Sequence, residues 1–185
     1  MDRTKINALM DQASGGDDSA FGEMSAAVQD ELFRLALSLG LQGEDAVEAT
    51  QEVLLRAYRG RKGWKRGSDA LAWLCGITVN VAREWRRREN RNAVWLKEHR
   101  NDAAAHAGNA SPDGSLDSDT LENLAAALAD LPPRQREAIA CRYLRRMSIR
   151  QTAQAMGCAE GTVKSTVAAA LERLQAVLEA GHESR

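Results

Sequence analysis

The stretch between residues 131 and 178 constrains the fold most, because it reads as a helix, a loop, a second helix, a tight turn and a third helix. Ser148 can cap the middle helix, and Gln151, three residues later, can complete a capping box. Gly157 suits the left-handed conformation that ends many helices. A further helix, with apolar residues at helical spacing, begins near Gly161. Two short helices joined by a glycine-containing turn are typical of a helix-turn-helix, whose second helix enters the DNA major groove.

A helical hairpin inside an ordinary bundle would show the same pattern, so the pattern alone leaves both structures open. The residues themselves favour the first. The segments LPPRQRE at 131–137, YL at 143–144 and GTVKS at 161–165 together resemble region 4, the C-terminal DNA-binding region of RNA polymerase sigma factors. The resemblance is specifically to the small extracytoplasmic-function (ECF) group of these factors.

The composition favours an all-α protein. Hydrophobic residues make up 44% of the 185 residues, enough for packed cores, and the chain has three prolines and little of the β-branched alternation that predicts strands. One domain or two are equally allowed at this length. The resemblance implies two small helical domains joined by a flexible linker, with the helix-turn-helix in the C-terminal one.

Several classes of protein are disfavoured by what the sequence lacks. No apolar run approaches the ~18 residues needed to cross a bilayer, and the N-terminus has no apolar signal core, so no membrane insertion is expected. Cys75, Cys141 and Cys158 are far apart and lack metal-ligand spacing. We therefore expect no disulfide, metal or cofactor, and a cytoplasmic location. No catalytic motif indicates an enzyme.

Charge is unevenly distributed along the chain, whose net charge is −1. Residues 1–60 carry a net charge of −6, residues 61–100 carry +7, residues 101–130 carry −6 and residues 131–185 carry +4. Two basic segments thus alternate with two acidic ones. Such segregation is typical of a protein that faces nucleic acid with some surfaces and a different partner with others.

A largely acidic surface is predicted on the helix that spans residues 44–60. Val47, Leu54 and Tyr58 suggest its buried stripe, and the remaining polar residues could simply form a solvated helix face. Beside the region 4 resemblance, however, this segment resembles the region 2 helix that docks onto core RNA polymerase, where Leu54 replaces a frequent Phe. The polymerase-binding residues that the resemblance implies are Asp45, Glu48, Gln51, Glu52, Leu55 and Arg56.

A basic, glycine-containing loop with an aromatic residue follows at residues 61–67, and Ser68 is expected to cap the next helix. Basic side chains neutralise phosphates, and an aromatic ring offers a stacking surface for an unpaired base. The loop and the helix after it resemble sigma regions 2.3 and 2.4, which recognise and open the −10 promoter element. The −10 DNA-binding residues so implied are Arg61, Lys62, Trp64, Lys65, Arg66, Asn80, Arg83, Arg87 and Arg88.

The helix that would read the −35 element departs from the family pattern. Thr166 stands where an Arg is expected, and Ala168 and Ala169 replace polar or basic residues. Because a bidentate base contact is worth roughly 1–3 kcal/mol of discrimination, fewer candidates imply weaker −35 recognition. The implied −35 DNA-binding residues are Arg150, Thr162, Lys164, Ser165 and Thr166.

The resulting hypothesis is an ECF sigma factor that binds core RNA polymerase and promoter DNA, helps open the −10 region, and is held inactive by an anti-sigma factor. The expected organisation is an N-terminal tail (1–17), region 2 (18–91), a linker (92–118) and region 4 (119–180). Two alternatives remain. One is a helix-turn-helix regulator that acts without polymerase, and the other is a helical protein-interaction adaptor with weakened DNA binding.

Overall fold

The computed structural model describes residues 2–99 and 127–183, and all regular elements in those two ranges are helical. The prediction of an all-α chain with a C-terminal helix-turn-helix is confirmed. The helices are α1 (Arg3–Ser14), α2 (Asp18–Ser38), α3 (Gly43–Gly60), α4 (Ala70–His99), α5 (Pro133–Ile139), α6 (Ile149–Met156) and α7 (Glu160–Glu183). A 3₁₀ turn (Arg61–Gly63) follows α3, and a π-helical turn (Ala140–Leu144) follows α5.

The segment predicted as an N-terminal tail, residues 1–17, contains helix α1, which packs against α2 and α4. Asp2 caps it by accepting a hydrogen bond from the backbone N–H of Thr4. Its apolar residues Ile6, Leu9 and Met10 are buried in the same core as α2, α3 and α4. A segment that buries this much apolar surface is part of the folded N-terminal half, here residues 2–99.

Helix α3 buries a stripe of small residues, Ala46, Ala49, Thr50, Val53 and Ala57. The predicted place of Val47 in the buried stripe is wrong, since 46% of this residue is exposed. The reason is that alanines, which carry little hydrophobic signal, form the face that packs against α2 and α4. Packing on small residues lets the helices approach closely and turns the larger Val47 outward.

Helix α4 is capped by Asp69, whose carboxylate accepts a hydrogen bond from the backbone N–H of Ala72 at 3.0 Å. The prediction that Ser68 caps this helix is therefore wrong. The side chain of Asn7 in α1 accepts the N–H of Ala70 at 2.9 Å. The helix continues to His99, beyond the predicted boundary at residue 91. The rest of the predicted linker lies outside the described residues.

The helix-turn-helix has the two local signals that the sequence predicts. Ser148 and Gln151 form a reciprocal capping box at the start of α6, and Gly157 ends this helix with a left-handed backbone, φ +65°. Ala153 and Met156 of α6 then pack with Ala138 and Val163 in a small core of the C-terminal half, here residues 127–183.

The two halves pack against each other where α6 crosses α4. A Cβ atom placed on Gly76 would lie 3.3 Å from the Cα of Ala155, so the absence of a side chain permits this close crossing. Cys141, Met147 and Ala155 belong to the same buried cluster as the core of the N-terminal half. One buried cluster therefore extends from the N-terminal half into the C-terminal half, which also has two smaller clusters of its own.

Within the described ranges, none of the helices combines the length and apolar character that a membrane crossing requires.

Candidate polymerase and promoter surfaces

One exposed stripe of α3 combines apolar and polar side chains. Val47 and Leu55 are 46% and 47% exposed, and they lie eight residues apart on the same side of the helix as Gln51. Gln51 and Glu48 are exposed as well, and Asp45 is partly so. Four of the six predicted polymerase-binding residues thus lie on or beside this stripe, and Val47 joins them although the sequence placed it in the core.

The other two predicted residues of this set, Glu52 and Arg56, lie in an ion-pair network that joins α3 to α4. Arg56 donates to Glu52 at 2.5 Å and to both carboxylate oxygens of Glu84 at 2.9 and 2.6 Å. Trp85 donates its indole N–H to Glu52 at 3.1 Å. The hydrogen bonds from Arg56 lower the pKa of Glu84, so this carboxylate stays charged and the network fixes how α3 is presented.

Burial raises the pKa of Glu52, but the hydrogen bonds from Trp85 and Arg56 outweigh it, and the net shift is downward. The pKa of Arg56 is raised, first by its bonds to Glu84. Both partners of the pair are therefore held in their charged forms. Glu52 and Arg56 are consequently occupied within the protein, and their contribution to the α3 stripe is to position it.

The basic loop after α3 presents most of its cations to solvent. Lys62, Lys65 and Arg66 are exposed. Arg61 is not, because it stacks on the ring of Tyr58 at 3.6 Å, donates to the Tyr58 carbonyl at 2.7 Å and pairs with Asp18 at 2.8 Å. Three of the four predicted loop cations are thus free to meet phosphates, and Arg61 holds the loop to α2.

Trp64 is buried, with 8% of its surface exposed. Its indole N–H donates to Asp11 of α1 at 2.8 Å, and its ring lies 5.5 Å from that of Trp73. Stacking of a DNA base on Trp64 would require α1 to separate from the loop. In this structure, the residue anchors the loop.

The predicted −10 residues of α4 divide into exposed and occupied groups. Asn80, Arg87 and Arg88 are exposed. Arg83 is only partly exposed, because both oxygens of Glu137 from α5 accept its guanidinium at 3.0 and 2.7 Å. The same carboxylate accepts Arg86 at 2.7 Å. Sequence reasoning finds neither Glu137 nor the role of Arg86, since partners that lie 54 and 51 positions apart leave no local signal.

The predicted −35 residues lie at the start of α7 and on α6. Thr162, Lys164, Ser165 and Arg150 are exposed, and Thr166 is half-buried. The Ser165 hydroxyl donates to the Thr162 carbonyl at 3.1 Å. One face of the first turns of α7 is thus accessible to a DNA groove, although Lys164 is the one basic residue between positions 151 and 172.

The arginines before α6 differ in their accessibility. Arg145 pairs with Glu31 of α2 at 3.1 Å with 13% of its side chain exposed, and Arg142 donates to the Met147 carbonyl at 2.5 Å. Arg146 is exposed and has a left-handed backbone, φ +50°. Among these three arginines, Arg146 is the exposed one.

No cluster of His, Cys, Asp and Glu suited to a metal ion occurs among residues 2–99 and 127–183.

Comparisons with known families match both halves of the chain. Residues 24–92 match Sigma-70 region 2, and residues 121–174 match Sigma-70, region 4. Together these matches cover the helices that carry the exposed α3 stripe, the basic loop, the exposed part of α4 and the helix-turn-helix.

Named sigma factors from other bacteria are similar in sequence to most of this chain. The ECF RNA polymerase sigma factor SigM of Mycobacterium tuberculosis is 32% identical, covering 88% of this chain and 79% of SigM. The ECF RNA polymerase sigma factor EcfG of Rhodopseudomonas palustris is 34% identical, covering 87% and 86%. Among solved structures, the sigma factor RpoE of Bartonella quintana, crystallised with the anti-sigma factor NepR, is 31% identical with a TM-score of 0.71, covering 86% of this chain and 96% of RpoE.

Proposed function

The chain belongs to the extracytoplasmic-function group of the sigma-70 family, and from that membership we propose which of its surfaces does which part of the work. As a member of this group, it is a non-enzymatic initiation factor that binds core RNA polymerase and directs it to specific promoters. In our assignment, α3 binds the polymerase, the basic loop with α4 engages the −10 element, and the start of α7 reads the −35 element. Residues 24–92 serve as region 2 and residues 121–174 as region 4.

The exposed stripe of α3 carries the polymerase assignment. Nearly half of the surface of Val47 and of Leu55 is exposed to water. This exposure adds nothing to the stability of a helix whose opposite face is already well packed. Apolar residues bordered by Glu48 and Gln51 form a docking surface with a hydrophobic centre and a polar rim. The Glu52–Arg56–Glu84 network supports the proposal, because it fixes α3 relative to the promoter-facing helix α4.

The −10 assignment rests on the exposed positive charge of the loop and on an exposed amide of α4, Asn80. Lys62, Lys65 and Arg66 can hold the backbone of a strand, since phosphate neutralisation dominates affinity for nucleic acid. Asn80 can donate and accept hydrogen bonds at a base edge. Extracting a base from the duplex costs a few kcal/mol, so a rigid, pre-positioned loop and helix are suited to offset it.

The surface that we assign to the −35 element is expected to bind it with modest affinity. Thr162, Lys164 and Ser165 are accessible but offer no Arg, Asn or Gln for a bidentate base contact, each of which is worth roughly 1–3 kcal/mol. Arg146 and Arg150 supply phosphate contacts instead. In our proposal the C-terminal half orients the polymerase on the promoter, and the −10 segment supplies more of the sequence selection.

We also propose that an anti-sigma protein controls this chain. RpoE, which resembles it over 86% of its length, was crystallised with the anti-sigma factor NepR. A sigma factor works where RNA polymerase is, so the proposed location is the cytoplasm. Co-purification of the tagged chain from its host, followed by mass spectrometry, should recover both the polymerase and a small regulator.

Run-off transcription with reconstituted holoenzyme tests the function directly. Core enzyme and the purified chain, incubated with a library of genomic fragments, should give discrete transcripts that core enzyme alone does not give. Specific duplex binding by the chain without polymerase, and no such transcripts, would support a helix-turn-helix regulator. A stable complex with core enzyme that starts no transcript would support the adaptor.

A further inference from the structure

Glu137 of α5 is the most deeply buried acidic side chain described in this structure, with 1% of its side chain exposed. It lies between the two halves of the protein. Arg83 of α4 binds it with two hydrogen bonds, at 3.0 and 2.7 Å, and Arg86 with a third at 2.7 Å. Arg134, at 3.8 Å, adds positive charge from its own helix.

This arrangement leaves the two α4 arginines little capacity for any other anion. Their side chains are 20% and 17% exposed. Arg83 also donates to the Met156 carbonyl at the end of α6, at 3.0 Å. A guanidinium fork holds carboxylates and phosphates with the same bidentate geometry, so Glu137 occupies Arg83 as a DNA phosphate would.

Other contacts hold the same two halves together. The side chain of Asp69 accepts Arg3 at 3.2 Å and Gln151 of α6 at 2.6 Å. Arg3 also donates to the Arg145 carbonyl at 3.0 Å, and Arg145 pairs with Glu31 of α2. The close crossing of Gly76 and Ala155 joins the same two halves. We call this packed state, with Glu137 bound to Arg83 and Arg86, the closed arrangement.

We propose that the closed arrangement is autoinhibited, with Glu137 acting as an internal substitute for a phosphate of the promoter strand. Separation of the two halves removes the carboxylate and frees Arg83 and Arg86 for DNA. The proposal adds Arg86 to the −10 surface and gives Glu137 a regulatory role. It rests on the proposed −10 function of α4.

Electrostatics makes such a switch reversible. A buried ion pair gains Coulomb energy but loses solvation, so its net contribution to stability is small compared with the cost of removing one partner. When the halves separate, Glu137 and both arginines regain water together. The ion pair itself therefore contributes only modestly to the closed arrangement, and contacts of the two arginines with DNA phosphates can replace it.

The first test asks whether Glu137 holds the halves together. Cys75 of α4 and Cys141 of the C-terminal half are buried in the shared core, so alkylation of the full-length chain by iodoacetamide, followed by mass spectrometry, reports opening. Glu137→Gln keeps the size of the side chain and removes its charge. We expect both cysteines to react several-fold faster than in the wild type. Unchanged rates in a variant that keeps its helical circular dichroism would overturn the proposal.

Two further variants make the first test decisive. Glu172→Gln removes the same charge from an exposed position of α7 and should leave the cysteines protected. If Glu137→Gln fails to fold, Arg83→Gln takes its place, since it removes the two hydrogen bonds by which Arg83 holds the carboxylate. Protected cysteines in a folded Arg83→Gln protein would equally contradict the proposal.

The second test asks whether opening frees the arginines for DNA. The probe is a fluorescent single-stranded DNA of mixed sequence, titrated with the full-length chain over a range of salt concentrations. Each phosphate neutralised adds about 0.7 to the slope of log K against log salt. Glu137→Gln should therefore bind more tightly than Glu172→Gln, with a slope steeper by about 1.4 for two arginines.

The variant Arg83→Gln distinguishes two roles of Arg83, which binds Glu137 in the closed arrangement and a DNA phosphate in the open one. It should open the protein, as judged by cysteine alkylation, yet gain only about 0.7 in slope because Arg86 alone is freed. If Glu137→Gln opens the protein but leaves the slope of log K against log salt unchanged, autoinhibition is refuted. Run-off transcription by the wild-type chain would still succeed in that case, so the failure would be distinguishable from a failure of the proposed function.

Discussion

The indole N–H of Trp64 donates to a carboxylate oxygen of Asp11, 2.8 Å away. This bond joins the N-terminal helix to the basic loop, fifty-three positions further along the chain. With the packing of Trp64 on Trp73, it holds the loop in one conformation. The loop that we assign to promoter DNA is therefore shaped by a helix that itself carries no assigned contact.

Replacement of Asp11 by Ala should destabilise the protein by roughly 1.5–3 kcal/mol, because Trp64 keeps its buried N–H and loses a charged acceptor. Urea denaturation measures the change. Asp11→Asn retains an acceptor oxygen and should lose less. A loss from Asp11→Ala no greater than that from Asp30→Ala, at an exposed position of α2, would contradict the role of this bond.

The pairing of Glu84 with Arg56 predicts how stability depends on pH. The pKa of Glu84 is lowered from its usual value of 4.5, so the folded protein binds this proton more weakly than the unfolded chain does. The stabilisation is thus present above about pH 4.5 and is lost as the pH falls through the lowered pKa. Glu84→Gln should be less stable than the wild type at pH 7. Chemical denaturation at several pH values should show this difference shrinking in acid; a constant difference would contradict the pairing.

The three cysteines should differ sharply in reactivity. Burial raises the pKa of the Cys141 thiol to about 12 and that of Cys75 further still, so neither forms much of the reactive thiolate near neutral pH. Cys158 is only half-buried. Peptide mapping after iodoacetamide treatment at pH 8 should find Cys158 modified first. Equal rates for Cys141 and Cys158 in the native protein would mean that the shared core is open.

Polymerase binding should depend on the exposed stripe of α3. The double substitution Gln51→Ala with Leu55→Ala removes a polar and an apolar contact without disturbing the buried alanine face. We expect core-enzyme affinity to fall at least tenfold, which corresponds to about 1.4 kcal/mol. Arg59→Ala, exposed near the end of the same helix, serves as the control. Unchanged affinity of the double variant in a pull-down titration would refute the assignment.

Much of the fold follows from local signals in the sequence. The capping box of Ser148 and Gln151 and the left-handed Gly157 are decided within a few residues, so sequence reasoning finds them. The apolar spacing of α2 and α7 is equally local. Family resemblance then supplies the order of the two halves.

Features that depend on distant partners were missed or misplaced. Val47 was expected in the core, but Ala46, Ala49 and Ala57 take that face, and alanine gives no strong hydrophobic signal. Asp69 replaces Ser68 as the cap of α4. It also accepts hydrogen bonds from Arg3 and Gln151, a connection that no local pattern predicts.

In the candidate site, too, local sequence predicts some features, and contacts with distant residues determine the others. Exposure of Asn80, Lys62 and Lys164 agrees with their selection as contact residues, since polar side chains off the apolar stripe usually face solvent. Arg83 was selected for its charge, and the carboxylate that occupies it comes from a helix beyond the linker. Only the packing of α5 and α6 on α4 reveals that pairing.

Permanganate reactivity of thymines in the −10 region tests the central claim most directly. On a promoter identified by run-off transcription, holoenzyme with the wild-type chain should make thymines of the opened strand reactive. Asn80→Ala should bind core enzyme with unchanged affinity yet lose most of that reactivity, because the exposed amide at the promoter face is gone. Equal thymine reactivity with the variant would contradict the claim that α4 and its loop open the promoter.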